Sequence, residues 1–402
     1  MGILFFVSAP RQVREKVALS PFITDDKVPS MSTQKINAAE SIRGLACLAV
    51  VLSHLSLTFF PQMHHFDLSV VPQYPFFDQL YHSPFAFFYS GTGAVFVFFV
   101  LSGYVLSLSS LKKKNSAEKL KKSLIKRYPR LAIPAFISCI IAYLVCFLPV
   151  DVTHVSEWGA ALANPHPKLS IALYEGSIGA FLFGDSSYNW VLWTMQIELL
   201  GSLVIYLASY FYSKRPILAG LFLLLSIATA YTISQTVLLG ILSFILGLGL
   251  LLYASELATG LSVLLFTLGL YFCGAHNESL SYRIFAQFLG EQTYDYLNFI
   301  GGFCIVYAVL KGKWLAQFFD SPFLVFLGKI SFSIYLIHLA VIYALAIPCF
   351  NLFHIQLGFS YWVAGLWASL FTVMISIVLA TPYSRYVDDI AIKVSNRLTK
   401  IF

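Results

Sequence analysis

Arg43 and His54 stand eleven residues apart in one largely apolar run, Ala38 to Phe60. Eleven helical steps of 100° return to within about 20° of the starting direction, so the two side chains share a face. Their axial separation is about 16 Å at 1.5 Å per residue. A guanidinium at the centre of a bilayer costs about 2.5–3.5 kcal/mol on the insertion scale, and residues held there usually face a polar interior and carry function. An imidazole that titrates near neutral pH suits a general base shielded from bulk water. Arg43 would then order a polar channel or hold a carbonyl or phosphate. Arg43 alone, near one end of the run, can be accounted for by snorkelling; sharing a face with a buried histidine is what singles it out.

Three further groups of polar residues punctuate apolar sequence. Lys126-Arg127-Tyr128-Pro129-Arg130 closes a lysine-rich stretch. The lysines read as an ordinary segment facing anionic lipid, whereas Arg127 and Arg130 flank a proline and suit bidentate phosphate binding. Asn189-Trp190-Val191-Leu192-Trp193-Thr194-Met195-Gln196-Ile197-Glu198 ends on a carboxylate deep in an aromatic span. Such an acid suggests orienting or charging a histidine, or holding a substrate hydroxyl. In Gly328 to His338, Ser331, Tyr335 and His338 share a helical face; an interhelical hydrogen-bond cluster explains that as well as a site does.

The elements that must position these groups are membrane helices. Of 402 residues, 58% are hydrophobic and 11% charged, which excludes an ordinary soluble domain. The expected fold is an all-α polytopic bundle of about ten spans, near 37–60, 84–109, 131–150, 188–212, 216–232, 235–254, 257–275, 294–310, 321–349 and 360–384. The segment 171–183 is too short to cross and reads as re-entrant or interfacial. With the N-terminus in the cytosol, 22 of the 26 Lys and Arg fall in cytosolic segments, two fall outside (Lys168 and Arg283) and two within spans. The positive-inside rule therefore places both termini in the cytosol. The domain reading is a cytosolic segment 1–36, a membrane domain 37–385 and a cytosolic tail 386–402. Met31 is an alternative start for the natural chain. Neither a signal peptide nor a myristoylation site is read at the N-terminus. The six cysteines mostly sit in apolar runs without a CxxC pair, so neither a disulfide framework nor a metal site is expected. The net charge of +7 is spread over loops between spans and does not point to nucleic acid.

The order of these pieces resembles acyltransferase family 3, the integral-membrane acyltransferases that modify bacterial surface glycans and other acceptors. The resemblance rests on SIRGLACLAVVLSHL (Arg-x10-His), GTGAVFVFFVLSGYVLS, RYPR (Arg-x-x-Arg), NWVLWTMQIELL and LGKISFSIYLIHLAVI, in family order from residue 41 to about 342. It implies a ten-helix core that takes an acyl group from cytosolic acyl-CoA to a hydroxyl on the far side. By that resemblance His54 is the catalytic histidine with Arg43 as its partner, and Arg127 and Arg130, with Lys126 beside them, bind the CoA phosphates. Two departures stand out. Glu198 is followed by Leu199, where relatives often carry two adjacent acids. The soluble esterase-like domain of many relatives finds no room in this length.

The expected activity is an O-acyltransferase, most simply an O-acetyltransferase, in a bacterial inner membrane. Acetyl-CoA is a donor substrate, with no permanently bound cofactor. His54, Arg43 and Glu198 are the catalytic candidates, and Trp193, Asn189, Tyr335 and His338 the substrate-binding ones. The expected partners are acyl-CoA, a surface or lipid-linked glycan and the bilayer, with a homodimer left open. The acceptor side would be built from 61–83, 151–187 and 276–293, which carry Trp158, His64, His65, Tyr81 and Asp185. Transfer directly to the acceptor and transfer through an acyl-histidine both remain open. A glycan or lipid transporter shares the span count and the polar interior, but such proteins more often show repeated halves, and none is visible here.

Overall fold

The computed structural model describes residues 32–66, 71–111 and 116–401; the expectations for 1–31, including the alternative start at Met31, lie outside them. The described residues build ten main helices: α1 (Thr33–Phe59), α2 (Gly91–Leu111), α3 (Ala117–Val145), α4 (Thr194–Lys214), α5 (Pro216–Ile233), α6 (Gln235–Leu252), α7 (Thr259–Cys273), α8 (Thr293–Lys311), α9 (Pro322–Val341) and α10 (Tyr361–Tyr383). The fold is an all-α polytopic bundle. Local chemistry sets several starts. Ser32, Ser116 and Ser234 accept backbone N–H groups at the N-termini of α1, α3 and α6, and Pro216 and Pro322 open α5 and α9, where no N–H is needed.

Nine helices among the described residues are long and apolar enough to cross a bilayer. The tenth expected span is α7, whose 15 residues cover about 22 Å against a hydrocarbon core of about 30 Å. It nevertheless joins the two ends of the bundle. At one end the Leu257 N–H donates to Lys311 O at 2.8 Å. At the other, Ala275 O accepts from Asn298 Nδ2 at 3.3 Å. The segments that alternation assigns to one side share one end: Lys35 pairs with Glu256, and Asn37 Nδ2 donates to Asp320 at 2.7 Å. At the opposite end the Ser281 hydroxyl donates to His82 O at 2.7 Å, and Asn351 Nδ2 to Asp151 O at 2.7 Å.

Three details add to the expected boundaries. The third helix starts at Ala117, well before 131, because the lysine-rich stretch is itself helical once Ser116 caps it. Residues Leu169–Leu182 form a short apolar helix with a π-helical centre that turns back at Gly184 (φ +79°); Tyr128 of α3 donates to Ser177 O at 2.5 Å, tying it to the bundle. The C-terminal tail is an amphipathic helix, α11 (Asp389–Ile401), packed on α3 through Ala391 and Ser395.

The contact that matters most for the site is between α1 and α9. It is a crossing of two glycines: a Cβ on Gly44 would lie 2.7 Å from Gly328 N, and one on Gly328 would lie 2.0 Å from Glu40 O. Small residues at a membrane helix crossing let backbones approach this closely. Ten residues further along the same helix pair, His54 of α1 meets His338 of α9.

Candidate active site

His54 Nδ1 lies 2.7 Å from His338 Nε2, with the two rings within 5° of parallel. His338 is fully buried, whereas His54 is partly open to a cavity. His338 Nδ1 faces two backbone carbonyls, Tyr335 O at 2.8 Å and Ile334 O at 3.2 Å. Carbonyls only accept, so Nδ1 carries the proton and the neutral His338 presents a lone pair at Nε2. His54 Nδ1–H donates into that lone pair. The remaining nitrogen, His54 Nε2, is then the unprotonated one. A backbone carbonyl thus sets the tautomer of two histidines in series.

The His54 ring is also clamped by stacking. Trp158 lies on it at 5.2 Å between centroids and 19° between planes, and Trp190 meets Trp158 edge-on at 5.1 Å. Trp158 is placed by Ser156, whose hydroxyl donates to Leu57 O at 2.6 Å and whose N–H donates to Thr58 O at 3.1 Å. The end of α1 therefore holds both the histidine and the indole that covers it.

The cavity in front of His54 encloses about 500 Å³. His64, Tyr81, Trp193, His276, Tyr294 and Tyr335 contribute to its wall. It sits at the end of the bundle formed by 61–83 and 276–293. Burial pushes the His64 imidazole down to about 3 and that of His276 to about 4, so both are neutral walls rather than cationic ones. His64 Nε2 lies 2.8 Å from Ser56 Oγ, which also contacts Ser53 O at 2.8 Å.

A second polar group lies deeper in the bundle and does not line that cavity. Arg127 Nη2 pairs with Glu198 Oε2 at 2.6 Å, and the Ser102 hydroxyl donates to Glu198 Oε1 at 2.9 Å. Arg43 pairs with Glu40 one turn away on α1 and lies within electrostatic reach of Glu198. The Nε–H groups of Arg43 and Arg127 are buried and have no hydrogen-bond partner among the described residues.

Residues 36–381 match the family model of acyltransferase family 3, described as an acyltransferase domain. The chain belongs to that family. No curated protein and no solved structure matches it. It is a membrane acyltransferase.

The acyltransferase divides the residues assigned from sequence between two places. His54, Trp193 and Tyr335 line the cavity. His338 lies behind His54 rather than in the cavity wall. Asn189 is a bolt in the core, donating to Ser138 Oγ at 3.0 Å and Leu336 O at 2.8 Å. Arg43 contacts Glu40, not His54, because eleven residues of α1 separate the two along the axis. Glu198 is held by Arg127 and Ser102. Arg127 turns inward, whereas Arg130, three residues on, is exposed on the side facing Asp388, and Lys126 is partly exposed. Sequence reading missed the pairing of His338 with His54, the Trp158 stack and the Ser102 contact. A histidine three residues after Tyr335 was visible, but nothing local says which helix it meets.

Proposed function

We propose that this acyltransferase moves an acetyl group from cytosolic acetyl-CoA to a hydroxyl of a surface or lipid-linked glycan held in the cavity. The observation that carries this reading is the tautomer chain from Tyr335 O through His338 to His54, which leaves a lone pair on His54 Nε2. In the proposed step the acceptor oxygen attacks the thioester carbon while its proton passes to His54 Nε2. The C–S bond breaks, and the proton goes on to the departing thiolate. Holding the imidazole in one orientation raises the fraction of time it meets the acceptor hydroxyl correctly.

In this reading both termini face the cytosol, supported by the Lys and Arg asymmetry, and the membrane is a bacterial inner membrane. The donor then enters at the end carrying Lys126, Arg127 and Arg130. Lys126 and Arg130, at least partly exposed there, suit the nucleotide phosphates. Arg127 and Arg43, each with an unpartnered buried N–H, suit the carbonyl or phosphate groups of the arm passing inward. Radiolabelled acetyl-CoA given to membranes should place label in surface polysaccharide, and His54→Ala should remove it. Label transfer undiminished in a well-expressed His54→Ala protein overturns the assignment.

A further inference from the structure

The segment that follows α1 carries a set of donor atoms to which the proposed proton transfer at His54 assigns no part. His65, Asp78 and His82 each offer one ligand atom, and the three atoms lie within 4.8 Å of one another. His65 Nε2 is 3.2 Å from Asp78 Oδ1, and His82 Nε2 is 3.9 Å from the same oxygen. We propose that His65, Asp78 and His82 form a binding site for a divalent transition metal of the zinc class at the rim of the cavity.

The donor chemistry selects the ion. Two imidazoles with one carboxylate suit zinc and its borderline neighbours, whereas magnesium and calcium take oxygen ligands. Ligands about 2.0–2.2 Å from a tetrahedral zinc stand about 3.3 Å apart. The His65–Asp78 separation of 3.2 Å already meets that spacing, His82 stands 3.9 Å from the same Asp78 oxygen, and the two imidazole ligand atoms, within 4.8 Å of each other, close around the ion by rotation of the His82 ring. Three protein ligands leave one coordination position for water or an acceptor group.

His65 is prepared for the role by what surrounds it. Its second nitrogen, Nδ1, faces Glu278 Oε2 at 3.4 Å. A carboxylate on the far nitrogen of a metal-ligating histidine fixes the tautomer and raises its basicity. Tyr81 stacks on the His65 ring at 4.1 Å and 4°, holding its plane. One contact opposes binding. His82 Nδ1 accepts the Leu280 N–H at 3.3 Å, which places the ring proton on Nε2. Metal at Nε2 moves that proton to Nδ1 and opens the Leu280 contact. Occupancy is therefore coupled to the turn at 280–282 as well as to the loop carrying His65. His65 itself, and Glu278 just before that turn, line the cavity.

The test uses the tag-free, full-length protein in detergent, stripped of metal and titrated with zinc chloride by calorimetry. Cobalt is used in parallel for its visible spectrum. Wild type should take up one zinc at this site, and cobalt should give the intense absorption of a four-coordinate ion. His82→Ala and Asp78→Asn should each weaken binding at least tenfold. Glu278→Gln, which keeps the ligands and removes the outer charge, should weaken it by about 10-fold or more. His154→Ala removes another exposed imidazole beside an aspartate, Asp151 at 3.9 Å, and should change nothing. Asp78→Asn preserves shape, so it reads the site even where His82→Ala fails to fold. Zinc titrations of Asp78→Asn that overlay wild type, or no uptake by wild type, overturn the proposal. The readout is binding alone, so a failed transfer assay leaves it standing.

Discussion

His54 Nδ1 and His338 Nε2, 284 residues apart in sequence, share a 2.7 Å hydrogen bond between α1 and α9, ten residues along each helix from the Gly44–Gly328 crossing. The bond is directional. Because His338 Nδ1 can only donate to the carbonyls behind it, the pair has one proton arrangement while both rings are neutral.

This arrangement predicts different costs for the two histidines. His54→Ala removes the base and should lower kcat by about 10²–10⁴-fold. His338→Ala leaves the base in place but free to turn, and a misplaced group costs about 10²-fold. His338→Gln can donate to a backbone carbonyl and accept from His54, so it should recover part of that loss. Steady-state kinetics on purified protein would decide it, with KM for acetyl-CoA little changed in all three. Equal activity of His338→Ala and wild type would refute the orienting role.

The glycine crossing predicts a linked loss. A Cβ at Gly328 would meet Glu40 O at 2.0 Å, so Gly328→Ala must push α1 from α9. Such overpacking costs about 1–3 kcal/mol, and it should lower activity by separating His54 from His338. Gly220→Ala, where a Cβ meets nothing within 4 Å, is the control and should be neutral to slightly stabilising. Thermal unfolding in detergent with a parallel transfer assay reads both effects.

Arg127 and Arg130 should separate in their phenotypes. Arg127→Ala strands the Glu198 carboxylate inside the bundle. Breaking one side of a buried pair costs about 3–5 kcal/mol, and Glu198→Gln in the same chain should restore much of it. Arg130→Ala removes an exposed charge and should leave the unfolding midpoint unchanged. Its expected effect is on CoA affinity, about 1.5–3 kcal/mol for one charge-assisted contact. Calorimetric CoA titration that finds Arg130→Ala identical to wild type places the phosphates elsewhere.

The orientation can be read by cysteine labelling in a variant without native cysteines. Ser156 and Ser279 are buried and make poor reporters, whereas Thr153, Glu291 and Ser116 are exposed. Cysteine at 153 or 291 should react with an impermeant maleimide in intact cells, and cysteine at 116 only after permeabilisation. The reverse pattern inverts the membrane orientation and the proposed route from donor to acceptor.

Much of the architecture was legible from composition and charge. Apolar runs of about 20 residues must become helices in lipid, because every backbone polar group has to be satisfied within the segment. Lys and Arg give each helix end its expected side, and spacing within one apolar run singled out Arg43 and His54. Pairing was not legible in this way. Helical spacing places Arg43 and His54 on one face, but a shared face is not contact, and each found its partner elsewhere: Glu40 one turn away, and His338 on another helix. The short α7 and the inward turn of Arg127 were hidden for the same reason. Periodicity along one helix reports which face is apolar. Which residue of another helix meets that face depends on how closely two backbones approach, and here Gly44 and Gly328 decide that only when α1 and α9 are packed together.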